Sequence, residues 1–350
     1  MSCWFCVVGP SLRCQSQAAR HVAFTPMRTL RLSSLLVVIL ASSLVSAFEL
    51  TLDPAKRTVA VTASNPAEVI RYTLNGKDPD FSAGVYLAPI ELPEGGTVKA
   101  AAFEGNKVVG KVSVLPVQFD GSSGPRNSAL LPLTQNRDWK SYDWVVRHEQ
   151  ILALNQPGAM RADVVFLGDS ITHFWSGEPK AKRVAGKDSW EKWIAPHHPV
   201  NLGYGWDRTE NVLWRLRHGE VAGLKPKAFV VLIGTNNLSG INNVADTAEG
   251  VAEVCRELRR HAPQAKVLLL AILPRQAKPD ATRQRVTDTN KLLKAQASQI
   301  ADAYVDLTDN LIEADGSILK ETMGDYLHPT NKGYEVMGAA IDAQLKAWSL

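Results

Sequence analysis

Cysteine is scarce in this sequence, and its placement argues against a disulfide framework. Of the four cysteines, Cys3, Cys6 and Cys14 lie near the start, and Cys255 stands alone far downstream. The Cys3-x-x-Cys6 spacing occurs in metal and redox sites, but no second ligand pair follows it, so we expect no such chemistry there. Cys255 falls on the apolar stripe of a predicted helix, where a free cysteine behaves as a small core residue.

Several other signatures are also missing. The 39 basic and 35 acidic residues are interspersed without a long Lys/Arg run, so we expect no nucleic-acid partner. There is no Gly-rich phosphate loop and no H-E-x-x-H, and His197-His198 has no third ligand spaced near it, so we expect no metal and no cofactor. Gly-x-Ser-x-Gly is absent too, which excludes the nucleophile elbow of α/β-hydrolases. Trp190 and Trp193 are expected to pack rather than to bind ligand.

A targeting segment begins at Met27. Its parts are a basic start, a short apolar run and small residues at the end: Arg28, Arg31, residues 35–44 and Val45-Ser46-Ala47. Because the apolar run is too short to span a bilayer, it predicts a signal peptide rather than an anchor. We expect translation to start at Met27, cleavage after Ala47, and loss of residues 1–47. The mature protein is then secreted or periplasmic, without a stable membrane anchor.

Residues 48–120 have the pattern of a small all-β module. The predicted strands are residues 58–62, 69–73, 97–103 and 107–114. Turn pairs such as Asn75-Gly76 separate them, and this regular spacing predicts a β-sandwich. Residues 70–79 and 98–103 resemble the immunoglobulin-like accessory module at the ends of chitobiases, hexosaminidases and other polysaccharide-processing enzymes. The resemblance leaves open whether the module binds sugar or is a spacer.

The rest of the chain alternates buried strands with helices. Residues 121–135, which begin Gly-Ser-Ser-Gly-Pro, are a linker by composition, and residues 136–350 form the second domain. Predicted strands are residues 163–167, 199–202, 228–233, 266–272 and 303–307. Predicted helices are residues 209–218, 244–260, 281–300 and 331–347. This alternation predicts a doubly wound α/β fold with a parallel sheet, in which ligands bind beyond the carboxyl ends of the strands.

Candidate catalytic residues follow those strands. Ser170 lies where the first strand turns into a helix, so its hydroxyl is exposed and its N–H lies at a helix N-terminus; the alternative is a simple N-cap. Asp325 and His328 lie three residues apart before the last helix, where His328 has the chemistry to accept a proton and Asp325 to orient the ring. Asn236 ends the third strand with a side-chain amide that is able to donate to an oxyanion.

The backbone after the second strand is the other candidate element. Gly203 and Gly205 allow close approach of the chain there. Each motif alone is weak evidence, but their joint occurrence in order on one rim of one sheet is strong.

Together these motifs resemble the SGNH (GDSL-type) hydrolases, and within them the α-subunit group of platelet-activating-factor acetylhydrolase. The stretches that carry the resemblance are residues 163–170, 207–216, 224–227, 234–237, 273–275 and 325–328. The resemblance implies a flavodoxin-like three-layer α/β/α domain, a Ser170–His328–Asp325 triad and no metal. It also implies three oxyanion donors: the Ser170 backbone, a backbone N–H at Trp206 with Gly205 nearby, and the Asn236 side chain.

The sequence departs from the family pattern at two positions. Trp206 stands before Asp207 where relatives usually have the donating glycine, so the donor survives only if the local backbone conformation suits tryptophan. Asn237 stands where many relatives have Asp, and we expect this change to affect loop support rather than the reaction.

Bulky neighbours of the nucleophile and the base predict a small acyl pocket. Ile171 and Leu327 flank Ser170 and His328, so we expect acetyl or other short acyl groups. The substrate expected is an ester, with acetylated carbohydrate favoured by secretion and by the accessory module. The alternatives are a lipid or phospholipid ester hydrolase and a non-catalytic carbohydrate-binding protein. The sequence does not determine the oligomeric state.

Overall fold

The computed structural model describes residues 48–121, 127–156 and 158–350. The predicted signal peptide and Cys3, Cys6 and Cys14 lie outside this part of the chain. Cys255 is fully buried in the hydrophobic core, as its place on an apolar helix stripe predicts.

The first part of the described chain forms two antiparallel sheets. One contains β1 (Phe48–Asp53), β2 (Thr58–Ala63) and β5 (Ile90–Glu91), and the other contains β4 (Gly84–Val85), β3 (Val69–Thr73), β6 (Gly96–Glu104) and β7 (Lys107–Val117). Alternate residues of both sheets meet in one core, with Val59 and Ile90 from the first packing against Tyr72 and Val98 from the second. Two sheets that share a core in this way are a β-sandwich, so the predicted fold of this module is confirmed.

The second part contains a parallel five-stranded sheet. Its strands are β8 (Val164–Gly168), β9 (Pro199–Gly203), β10 (Ala228–Leu232), β11 (Lys266–Leu270) and β12 (Ala303–Val305), in the order β12-β11-β10-β8-β9. From β8 the chain first adds β9 on one side and then adds β10, β11 and β12 in turn on the other side. The strand order therefore reverses between β8 and β10, which is the topological switch point where ligands bind in such folds.

Helices cover both faces of this sheet. They are α1 (Trp144–Leu154), α2 (Ser170–His173), α3 (Lys187–Ser189), α4 (Thr209–Arg217), α5 (Val244–His261), α6 (Ala281–Ile300), α7 (Thr308–Leu311) and α8 (Asn331–Ala347). Successive strand residues point to opposite faces. Val165 and Leu167 of β8 therefore pack under α1, α4, α5 and α6, whereas Val164 and Phe166 pack under α8. These three layers confirm the predicted flavodoxin-like α/β/α fold.

Helix α1 was not among the predicted elements, although it contributes two fully buried residues, Trp144 and Ile151, to the core. In the part of the chain that the structure describes, no helix is long and apolar enough to cross a membrane.

The predicted linker is not a loose spacer where it is described. Residues 128–130 form a short 3-10 helix against α4 and α5, and Ala129 and Gln135 are buried to 1 % exposure or less. The domain boundaries at residues 120 and 135 stay predictions, but the segment between them is packed into the protein.

Candidate active site

The close approach of two strand ends places the candidate nucleophile. A side chain at Gly168, the last residue of β8, would overlap the Thr172 side chain and the Leu232 carbonyl. A side chain at Gly203, the last residue of β9, would lie 2.3 Å from the His173 backbone N. Because both positions lack a side chain, the single turn of α2 packs directly onto the sheet, and Ser170 stands at its first position.

Ser170, His328 and Asp325 form one hydrogen-bonded chain. Ser170 Oγ lies 2.8 Å from His328 Nε2, and His328 Nδ1 lies 2.7 Å from Asp325 Oδ2. The other oxygen of Asp325 accepts hydrogen bonds from the backbone N–H groups of Leu327 and His328. An ionised Asp325 carboxylate fixes the imidazole tautomer that carries hydrogen on Nδ1 and leaves Nε2 free to accept the serine proton.

The backbone geometry of this loop keeps Asp325 ionised. Burial by itself would raise the pKa of Asp325, but the hydrogen bonds from the His328 backbone and ring outweigh it and hold the pKa below its usual value. Tyr326, between the acid and the base, has a left-handed φ of 61°, which turns the chain so that both side chains face each other.

The three residues expected to supply oxyanion donors, Ser170, Trp206 and Asn236, line one cleft. Asn236 donates one amide hydrogen to the Asp207 carbonyl at 2.9 Å, which leaves its second amide hydrogen for the cleft that it lines. Neither Ser170 N nor Trp206 N donates a hydrogen bond to any group in the described ranges. Two backbone N–H groups and one side-chain amide are the set expected for an oxyanion hole.

Trp206 adopts the conformation that glycine would otherwise supply. Its φ is 65°, in the left-handed region, and its side chain is 48 % exposed on the wall of the cleft. The left-handed conformation costs a residue other than glycine about 1–2 kcal/mol. The hydrogen bond from Arg137 to the Trp206 carbonyl, at 2.9 Å, helps to offset this cost.

Asn237 has a supporting role that aspartate would not perform. Its amide nitrogen, which has two hydrogens to donate, lies 3.1 Å from Thr209 Oγ1 and 3.0 Å from both Glu210 Oε2 and Asn242 Oδ1, and its carbonyl oxygen accepts from Thr209 N. An aspartate would have no hydrogens to donate and would repel Glu210. The asparagine therefore ties the start of α4 to the loop after β10.

Of the two residues expected to form the acyl pocket, one lines the cleft and the other does not. Leu327 lines the cleft beside Ser170 and His328. Ile171 does not: it is 1 % exposed and packs in the hydrophobic core under α8. Its side chain follows the nucleophile in sequence, but the helical turn of α2 rotates it by about 100° toward the sheet. The prediction that Ile171 shortens the acyl pocket is therefore wrong.

Comparisons with known proteins identify the family of this fold. A family model described as "GDSL-like Lipase/Acylhydrolase family" matches residues 166–336, and one described as "Fn3 associated" matches residues 59–117. Platelet-activating factor acetylhydrolase IB subunit alpha2 of Rattus norvegicus is 32 % identical over 214 residues, which cover 61 % of this chain and 88 % of the relative. The chain belongs to the GDSL-like lipase/acylhydrolase family. It is a carboxylic ester hydrolase with an accessory β-module before the catalytic fold.

Two solved structures are similar to this chain at lower sequence identity. A GDSL-like lipase from Bacteroides thetaiotaomicron is 22 % identical with a TM-score of 0.43, covering 53 % of this chain and 87 % of the other. The carbohydrate acetylesterase Est24 from Sinorhizobium meliloti is 18 % identical with a TM-score of 0.43, covering 54 % of this chain and 100 % of the other.

The esterase's cleft has a volume of about 710 Å³ and a predominantly cationic mouth. Lys182, Arg183 and Arg275 line it, and Asp138 is the carboxylate among its described lining residues. None of the three cations pairs with a carboxylate within 4 Å in the described part of the chain. Arg275 is held in place because Nη1 donates to Thr235 O at 3.1 Å.

His173 is a cleft residue that the sequence reasoning missed. Its Nδ1 accepts a hydrogen bond from Gly205 N at 3.1 Å, so the neutral ring carries its hydrogen on Nε2. Burial, followed by repulsion from Arg147 and Arg215, lowers the pKa of His173 to about 2. His173 lies three residues after Ser170, and this i,i+3 spacing on a helical turn is the signal that would have found it.

A buried charge network lies beneath the Trp206 loop. Arg215, with no exposed side-chain area, donates from Nε to Asp207 Oδ2 at 2.8 Å and from Nη1 to Glu220 Oε2. Tyr204 OH also donates to Glu220, and His148 Nδ1 lies 3.0 Å from it. Burial would lower the pKa of Arg215, but Glu220 and Asp207 raise it above its usual value. Arg215 in turn outweighs burial at Glu220 and holds the pKa of that carboxyl below its usual value, whereas burial raises the pKa of Asp207 despite the same arginine.

Proposed function

We propose that this esterase works through an acyl-enzyme on Ser170 and removes acetyl or other short acyl groups from carbohydrate outside the cytoplasm. Ser170 Oγ attacks the ester carbonyl while His328 Nε2 takes its proton. Asp325 keeps the imidazole oriented. Ser170 N, Trp206 N and the Asn236 amide stabilise the oxyanion of the tetrahedral intermediate. His328 then protonates the leaving alcohol, and water, deprotonated by His328, releases the acid. The observation that carries the mechanism is the continuous chain from Ser170 Oγ to Asp325 at 2.8 and 2.7 Å.

Preference for a short acyl group is supported by the cleft and by the relatives. Leu327 is a bulky apolar residue beside the base, and the curated relatives are acetylhydrolases by name. Comparing nitrophenyl acetate with nitrophenyl octanoate tests this preference, and faster turnover of the octanoate would refute it.

The carbohydrate assignment is supported by the accessory module and by the aromatic wall of the cleft. Trp206 presents an exposed indole next to the nucleophile, and Phe174 and Tyr142 line the same cleft. Flat aromatic faces with polar neighbours suit the apolar face of a sugar ring. Secretion is supported by the targeting segment ending at Ala47, and N-terminal sequencing of exported protein tests it.

Acetyl removal from a phospholipid is the second candidate, favoured by the 32 % identity to platelet-activating factor acetylhydrolase subunits. The deciding assay compares acetate release from acetylated xylan, acetylated chitooligosaccharides and an acetylated ether phospholipid. Ser170→Ala is the test variant, and Ser113→Ala on strand β7 of the module is its matched control. Ser170-dependent release from a polysaccharide supports the proposal, and release from the phospholipid alone replaces it with the second candidate. Release that survives Ser170→Ala refutes the mechanism.

A further inference from the structure

One peptide unit, that between Gly205 and Trp206, carries the proposed oxyanion donor at Trp206 N. A peptide is planar and trans, so its C=O and N–H point in opposite directions. A group that fixes the Gly205 carbonyl by a hydrogen bond therefore also fixes the direction of the Trp206 N–H. Two side chains hold that carbonyl: Gln135 Nε2 donates to it at 2.9 Å and Tyr142 OH donates to it at 2.9 Å.

Gln135 belongs to residues 133–137, which lie outside the helices and strands and which we call the strap. Toward the active site, Gln135 Nε2 also lies 3.0 Å from Asp207 Oδ1, and Arg137 Nη2 donates to Trp206 O at 2.9 Å. The strap thus contacts the three consecutive residues Gly205, Trp206 and Asp207. Gln135 is 1 % exposed, so these hydrogen bonds are made away from solvent.

The alternate residues of the strap contact the β-module. Thr134 Oγ1 donates to Val85 O at 2.6 Å, and Asn136 Nδ2 donates to Phe81 O at 2.9 Å. Residues 134 and 136 therefore anchor the strap to the module, while residues 135 and 137 reach the turn that carries the donor.

We infer that Gln135 is a positioning residue for the Trp206 N–H and that the β-module acts on catalysis by anchoring the strap. This inference rests on the proposed function, since it assumes an oxyanion donor at Trp206. The left-handed Trp206 needs such support, because a flip of the Gly205–Trp206 peptide would turn the N–H out of the cleft. The flip is opposed by the loss of both hydrogen bonds to Gly205 O.

The test is Gln135→Leu in the full-length chain, with Gln284→Leu as its matched control. Gln284 lies on α6 and donates to the exposed Asp288, away from the cleft. For Gln135→Leu we expect kcat on nitrophenyl acetate to fall about ten- to a hundredfold, less than the 10²–10³ that loss of a donor costs. We expect KM to change less than twofold. Affinity for a trifluoromethyl ketone, which forms the tetrahedral oxyanion, should fall by the same factor as kcat.

Two further variants separate positioning from general stability. Tyr142→Phe removes the second hydrogen bond to Gly205 O without touching the module, and we expect it to lower kcat and ketone affinity in parallel. It also decides the inference if Gln135→Leu does not fold. Thr134→Val removes an anchor on the module side, and we expect a smaller parallel loss, of about threefold.

The outcomes distinguish this inference from the proposed function. A folded Gln135→Leu whose kcat and ketone affinity stay within twofold of the wild type overturns the inference, as does the same result for Tyr142→Phe. Loss of kcat without loss of ketone affinity also overturns it, because the donor would then not be the group affected. A wild-type protein without Ser170-dependent turnover refutes the proposed function instead.

Discussion

Acid destabilisation should depend strongly on His173, because this ring is held neutral in the folded protein. Burial lowers its pKa from 6.5 to about 2, and its Nδ1 is occupied by the Gly205 N–H. Below pH 6.5 the unfolded chain binds a proton at His173 that the native protein does not bind. The free energy of unfolding therefore falls as the pH falls, from about pH 6.5 down to about pH 2.

The magnitude follows from these pKa values. At a given pH, His173 lowers the free energy of unfolding by RT ln(1 + 10^(6.5 − pH)). This decrease is about 2 kcal/mol at pH 5 and under about 0.1 kcal/mol at pH 7.5. Any native pKa below about 4 gives nearly the same result at pH 5, because the folded ring is then still neutral. His173→Gln removes the titrating group and keeps an oxygen that is able to accept from Gly205 N.

The assay is urea unfolding of wild type and His173→Gln at pH 7.5 and pH 5. For each protein we take the free energy of unfolding at pH 5 minus that at pH 7.5, and we then subtract the wild-type value from the variant value. The packing cost of the substitution is the same at both pH values, so it cancels in this double difference. We expect the variant to gain about 2 kcal/mol relative to wild type on going from pH 7.5 to pH 5. Thr172→Val, a neighbouring buried change without a titrating group, should show a double difference near zero. A double difference below about 0.5 kcal/mol for His173→Gln would show that the ring is protonated in the native protein.

Three further results are expected. Asn236→Ala should lower kcat by about 10²–10³ with little change in KM, as loss of one oxyanion donor does; unchanged steady-state kcat would remove Asn236 from the mechanism. Arg215→Met should lower the free energy of unfolding by about 3–5 kcal/mol, because it leaves Asp207 and Glu220 buried without a counter-ion; urea unfolding measures this, and a loss below about 1 kcal/mol would contradict it. Because the cleft mouth is cationic, an acetylated uronic-acid oligosaccharide should show a several-fold lower KM than a neutral one in dilute buffer, and the advantage should vanish in about 0.5 M salt; an advantage unaffected by salt would contradict it.

Much of the catalytic fold was predictable because its signals are local. Strands β8, β10 and β11 contain runs of four or five buried apolar residues, which mark strands buried on both faces. The long helices α5 and α6 have the predicted bounds to within one residue. Helix α1 escaped prediction because its apolar residues are interrupted by Arg147 and His148, which are buried through their hydrogen bonds. A helix prediction that depends on the spacing of apolar residues does not identify charged residues that are buried, so this helix was missed.

Ile171 and His173 show why site residues next to the nucleophile were misjudged. Both follow Ser170 closely in sequence, but they are two residues apart, and a rotation of about 100° per residue places them on roughly opposite faces of the helical turn. Ile171 points into the core and His173 points into the cleft. Because Ile171 follows Ser170 directly, the sequence suggested that it lines the acyl pocket. Which side chain next to Ser170 faces the substrate depends instead on how helix α2 is oriented against the sheet.

The sequence by itself determined the alternation of strands and helices and singled out Ser170, Asp325 and His328, whose side chains the structure brings together, because each depends on short motifs and on apolar periodicity. Only the tertiary structure showed that Trp206 has a left-handed conformation and that the strap donates hydrogen bonds to the carbonyls of Gly205 and Trp206. These features rest on hydrogen bonds between residues some 70 positions apart, such as Gln135 and Gly205. No local sequence pattern predicts such a hydrogen bond, because it forms only when the strap packs against both the β-module and the parallel-sheet domain.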